Sequence, residues 1–270
     1  PTPPREGTFY AADHSVAYDS LRSTIVAYAV ERDDTNQYVS KVYELTNDGK
    51  TWMWTDRSQV PAPPPRRSPG LAFDATAGKI VLFCGERLDV PGTHYSDTWT
   101  WNGTTWTQLN PATGPTSRTA VALEYFPSTG KLVLFGGSDI ADLSDTWTFT
   151  TSTSTWALQT FGTGGVPPAR GYSRLVSHTA RTSLMLFGGG TDHTAWEYNG
   201  TTWSNRPAAQ QAEAVSDNDP RISAVFPPIH DHSDDGYGGI KLRIAESGVL
   251  LLPKGTAPTE PRAITEVAGG

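Results

Sequence analysis

The chain has 270 residues and a formal charge of −7, with 26 Gly, 21 Pro, nine Trp and only two Met. A net negative charge without any Lys/Arg cluster excludes the nucleic-acid backbone and an anionic membrane as partners. Abundant Gly, Pro, Trp and Thr suit strands and turns and leave little material for long helices, while 37% hydrophobic residues suffice for a core.

No apolar run reaches the length of a membrane span, and "PTPPREG" opens without a charged-then-apolar leader. The protein is therefore read as soluble, with any signal peptide removed. Low lysine with frequent Thr, Trp and Asn-Gly points to a secreted or periplasmic bacterial protein. The single cysteine, Cys84, excludes an internal disulfide framework and any multi-cysteine zinc site; within the apolar "KIVLFCG" it is expected to be a buried, inert thiol.

In chain order, "GTFYAAD" at 7–13 precedes a first strand pair, "VAYDSLRSTIVAYAV", and "LTNDGKTW" follows. A second copy, "LAFDATAGKIVLFCG", lies at a constant offset of 55 from the first. It continues into "SDTWTWNGTTW". The third copy reads "GKLVLFGG" then "SDTWTFTTSTSTW", and the fourth "TSLMLFGGG" then "HTAWEYNGTTW"; Gly85, Gly137 and Gly189 are spaced by 52. A long segment, 207–239, leads into a truncated fifth copy, "IKLRIAESGVLLLPKG". A fixed period of this length marks a repeat architecture.

Each copy reads as four short strands; in the second they are "GLAFD", "KIVLFCG", "SDTWTW" and "TTWTQL". The Asn-Gly pairs at Asn102 and Asn199 are expected to supply positive φ in two-residue hairpins. A four-stranded sheet cannot bury both its faces alone, so radial stacking is predicted.

Arg66, Arg118 and Arg170 open the copies, Gly136-Gly137 and Gly188-Gly189 close the second strands, and Trp99/Trp106, Trp147/Trp156 and Trp196/Trp203 recur. With these residues the chain resembles kelch-type β-propellers. The resemblance implies an all-β propeller, and the five copies of four strands give five blades, with six as the alternative. The blades span about 14–60, 66–112, 118–163, 170–206 and 240–270, the last closed by the N-terminal strand 7–13. The three arginines are expected to brace neighbouring blades.

In an antiparallel meander, second-to-third loops and the connections between copies share one rim. His14, His94, His193, His230 and His232 all fall on that rim, and only His178 on the other. This convergence points to a divalent metal of zinc type at the channel mouth, since zinc accepts neutral imidazoles. Asp13, Asp192, Asp231, Asp234, Asp235 and Glu86 could add a carboxylate. The reading that follows is a metal-dependent hydrolase of an ester, lactone or phosphoester, acting on a small molecule, anionic or phosphoryl. Asp231 is its base, and Tyr237, Tyr95 or Arg118 stabilises the developing negative charge. The alternative is a non-catalytic module for a protein or glycan ligand, as the resemblance implies.

Overall fold

The computed structural model describes residues 15–47, 49–162, 165–189 and 194–206, together with the backbone of 242–245 and 248–251. The chain divides into two units, 1–208 and 209–270. Within the first, four antiparallel sheets follow one another. The first holds β1 (Ser15–Asp19), β2 (Thr24–Arg32), β3 (Tyr38–Asn47) and β4 (Trp52–Asp56). After a two-residue strand β5 (Arg66–Arg67), the second holds β6 (Gly70–Asp74), β7 (Lys79–Phe83), β9 (Thr98–Trp101) and β10 (Trp106–Leu109). Between β7 and β9, β8 (Glu86–Arg87) pairs with β5.

The third sheet comprises β11 (Ala122–Phe126), β12 (Lys131–Phe135), β13 (Thr146–Thr150) and β14 (Thr155–Gln159). The fourth comprises β15 (Arg174–His178), β16 (Ser183–Phe187), β17 (Ala195–Tyr198) and β18 (Trp203–Arg206). In the second unit, β19 (Leu242–Ala245) and β20 (Gly248–Leu251) form an antiparallel hairpin. Residues 7–13, the 207–239 segment and most of the fifth copy lie outside the described residues. Among the described residues no helix is long and apolar enough to cross a membrane.

Side chains that alternate along one strand feed two different cores. In β7, Ile80 and Leu82 pack with Val26, Tyr28 and Val30 of the first sheet, while Val81 and Phe83 pack with Leu132, Leu134 and Trp156 of the third. In β12 the same division recurs: Leu132 and Leu134 face backward, and Val133 and Phe135 face forward onto Leu184, Leu186 and Trp203. Burial on both faces is why these second strands read as unbroken apolar runs rather than alternating ones. The innermost strands β1, β6, β11 and β15 pack side by side.

Three local expectations are corrected. Cys84 does not continue the strand: β7 ends at Phe83, and Cys84 takes φ 60°, as do Gly136 at 60° and Gly188 at 72° at the same place in their copies. That place is a left-handed turn. At Gly136 a side chain would meet the Arg170 and Leu143 carbonyl oxygens at 2.6 and 2.8 Å, whereas the Cys84 side chain packs into the core, where burial pushes its thiol up to about 12.

The Asn-Gly turns also differ. Only Gly103 and Gly200 have positive φ; Asn102 and Asn199 act through their side chains, each Oδ1 accepting the N–H of the second and third residues onward. The loops are Asx turns closing four-residue connections.

The arginines also depart from the expected bracing of neighbouring blades by their side chains. The Arg118 guanidinium serves its own sheet, donating to the Thr116 and Gly136 carbonyls, the Thr116 hydroxyl and both oxygens of Asp145. Its main chain makes the tie between sheets, with the Arg118 carbonyl accepting from Gly85 N–H at 2.9 Å. The side chain points back into its own copy because the glycine-doublet turn, 18 residues on, presents a free carbonyl there.

Candidate functional site

Two places carry polar or exposed groups that packing alone does not require: the rim formed by second-to-third loops and inter-copy connections, and the cavity between the innermost strands.

At the rim, a repeated latch holds the loops. Arg66 donates to both oxygens of Asp97, and Arg118 to both oxygens of Asp145 at 2.6 and 2.9 Å. The second oxygen of each aspartate also accepts an indole N–H, from Trp99 or Trp147, at 2.7 Å. Burial of Asp145 opposes ionisation, but the hydrogen bonds from Arg118 and Trp147 outweigh it and hold the carboxyl below its ordinary range. With all five N–H bonds of Arg118 spent and the residue buried, the latch is a fixed brace. Asp97 and Asp145 are marked in the sequence by the repeated "SDTW", a signal whose role only the folded contacts show.

His94 lies on the rim and places its Nδ1 2.9 Å from Asp139 Oδ1, joining the loop of the second copy to that of the third. Its backbone bridges to Glu86. The Tyr95 ring is stacked by the Arg66 guanidinium at 4.0 Å and approached by Arg87 at 5.2 Å, so this tyrosine is clamped between cations. His178 lies on the opposite face, accepting Arg181 N–H at 3.2 Å. His14, His193, His230, His232, Asp13, Asp192, Asp231, Asp234, Asp235 and Tyr237 lie outside the described residues. Among the described residues no group of three or more His, Cys, Asp or Glu side chains could hold a metal ion.

The same rim presents apolar side chains to solvent. Of the exposed large hydrophobic residues that lie in loops among the described residues, Val60, Val90, Ile140, Val166 and Tyr172 are on this rim and only Leu21 is on the other. Ile140 is fully exposed. Beside Val60, a cavity of about 870 Å³ opens between the β2–β3 hairpin and the 58–65 connection, with Glu31, Asp33, Tyr38, Lys41 and Asp56 in its wall.

Between the innermost strands lies a cavity of about 330 Å³. Glu124 of β11 lines it, at the place held by Ala17, Ala72 and Val176 in the other copies. Burial raises the Glu124 carboxyl to about 7, and its one protein hydrogen bond, from the Tyr125 N–H, opposes the rise only in part. The break in an apolar column of the repeat was the sequence signal for Glu124.

The family model described as the KLHDC2/KLHL20/DRC7 kelch-repeats domain matches residues 4–190. A solved structure titled "Structure of YjhT" superposes with a TM-score of 0.55 at 15% identity, covering 73% of this chain. The chain spans 64% of the length of that structure, and the likeness shows the fold alone. No curated protein sequence matches the chain. The expected metal-dependent hydrolase is thereby corrected, because a kelch-repeat domain fits the alternative reading, a binding or scaffold module, better. Its physical basis was five histidines sharing one rim, and a shared rim brings residues to one face without bringing them into one coordination sphere. By the match over residues 4–190, this chain belongs to the kelch-repeat family.

Proposed function

We propose that the protein is a non-catalytic recognition module whose ligand is another protein, seated on the rim formed by the second-to-third loops and inter-copy connections. The observation that carries this reading is that Val60, Val90, Ile140, Val166 and Tyr172, all solvent-exposed, lie in loops of that one rim. Solvent-exposed apolar side chains gathered on one face of a braced scaffold are the usual mark of an interaction surface, and Tyr is favoured at the energetic centre of interfaces. The Arg–Asp latches support the reading in a second way: they hold the loops rigid, so little conformational entropy is lost on docking. Composition also supports secretion, which is consistent with a partner outside the cell.

The test isolates a partner by crosslinking in the native host and measures the affinity of the purified pair. Ile140→Asp and Tyr172→Ala should each weaken binding by about 10-fold or more, a loss of about 1.4 kcal/mol. Leu21→Asp, on the opposite face, should leave the affinity unchanged. Loss of binding with Leu21→Asp and not with the rim variants would place the interface elsewhere.

A further inference from the structure

We infer that the cavity between the innermost strands is a binding site for a small zwitterion carrying an alkylammonium group and a carboxylate. This goes beyond docking at the rim and stands without it.

Glu124 and Arg174 both line the cavity, and they do not pair with each other. Among the described residues, Glu124 accepts only the N–H of its own neighbour Tyr125, and Arg174 donates only to the carbonyl of Ser173 beside it. A half-buried carboxylate and an exposed guanidinium thus border one cavity with bonding capacity to spare. A half-buried carboxylate without a counter-ion is costly, and a repeat that puts Ala17, Ala72 or Val176 at this position elsewhere does not need one here. In the repeat frame Arg174 matches Ala122, two residues before Glu124, so the two charges are offset by roughly 7 Å along the strands. A ligand that spans them must carry its cation and anion a short aliphatic chain apart. Val16, Leu71, Leu123 and Leu175 supply apolar wall for that chain, and about 330 Å³ is within the range of small-molecule sites.

The elements packed on β11 bring few other charges to bear. Asp74 of β6 is committed to the N–H groups of Thr76 and Ala77 and to the Thr151 hydroxyl. Lys131 of β12 and His178 of β15 stand at the far ends of their strands, and β16 contributes no titratable group. The ionisation of Glu124 is therefore governed by burial, and an ammonium ligand would draw it toward the charged form.

The experiment is titration calorimetry of the full chain with 6-aminohexanoate, with n-hexylamine and hexanoate as single-charge controls, at pH 6, 7 and 8. The expected result is saturable binding of 6-aminohexanoate, at least about 10-fold tighter than either control. It should tighten by about 10-fold from pH 6 to pH 8 as a carboxyl titrating near 7 ionises. Glu124→Gln, which keeps the shape and removes the charge, should abolish the pH dependence and weaken binding to the level of hexanoate, and Arg174→Ala should weaken it to that of n-hexylamine. Absence of saturable binding at any pH would overturn the assignment, as would n-hexylamine binding as tightly as 6-aminohexanoate or an unchanged pH profile in Glu124→Gln. Thermal melts of each variant check that the fold is intact.

Discussion

The seam between the second and third sheets and the seam between the first and second are built from the same repeat, yet only one of them completes its polar contacts. In the former, Trp156 of β14 donates its indole N–H to Thr98 Oγ1 of β9, at 3.1 Å, and the next seam copies this with Trp203 and Thr146 at 3.0 Å. In the latter, the matching tryptophan is Trp106, whose indole N–H is buried without a partner among the described residues, because the place of Thr98 is taken by Val42. The apolar packing is retained across both: Trp106 sits edge-on to Tyr28 at 6.5 Å, and Phe83 lies against Trp156 at 4.8 Å.

The first sheet fixes itself differently. Glu44, almost fully buried, accepts from both Arg22 and Arg57, and Arg22 also bonds Asp19. What the contrast teaches is that the copies share an apolar period while their polar fixings drift. Burial is non-directional and tolerates exchange of side chains, whereas a hydrogen bond is lost as soon as one partner changes.

The strongest way to break the regular pattern is to remove a latch. Arg118→Ala leaves the Asp145 carboxylate with the Trp147 indole but no counter-ion, and the Gly136 carbonyl without its guanidinium donor, and should destabilise the protein by about 3 kcal/mol. In a thermal melt this corresponds to a fall of roughly 6–12 °C. The effect has a definite pH signature. The Asp145 carboxyl is held below its unfolded value, so the latch contributes fully above about pH 4 and is lost as pH falls through the lower folded value. The gap between wild type and Arg118→Ala should therefore shrink as the pH falls below about 4. A gap independent of pH would mean that the arginine acts by packing and not by charge.

A smaller change would turn the regular seam into a copy of the irregular one. Thr98→Val removes the acceptor of the Trp156 indole and should cost about 1–2 kcal/mol in denaturant melts, at constant slope. If Thr98→Val is neutral, the inter-sheet hydrogen bond contributes nothing and the comparison fails. The reverse substitution is the smallest effect. Val42→Thr offers the buried Trp106 indole an acceptor and should stabilise by about 0.5–1 kcal/mol. A loss equal to that of Val81→Thr, at a buried site without a waiting donor, would show that the hydroxyl does not reach the indole.

Much of this fold is legible in the residues themselves. The 52-residue spacing of Gly85, Gly137 and Gly189 predicts stacked four-stranded sheets, and the apolar runs "KIVLF" and "KLVLF" predict strands buried on both faces. The left-handed turn was legible from Gly136 and Gly188 but hidden at Cys84, where a side chain fits only because the neighbouring core leaves room for it. The expected hydrolase rested on histidines collected by loop class, and of these only His94 lies among the described residues, spanning two copies to Asp139.

The sequence by itself determined the repeat, the strand order and which positions would be apolar, because the period of side chains along a strand is a local property of the chain. Only the tertiary structure decided where the polar groups end. Arg118 meets an aspartate 27 residues away and Trp156 a threonine 58 residues away, while Glu124 opens onto a cavity shared by the innermost strands. Those outcomes depend on distances between segments far apart in the chain, and hydrogen bonds and charges, unlike apolar burial, are decided within a fraction of an ångström.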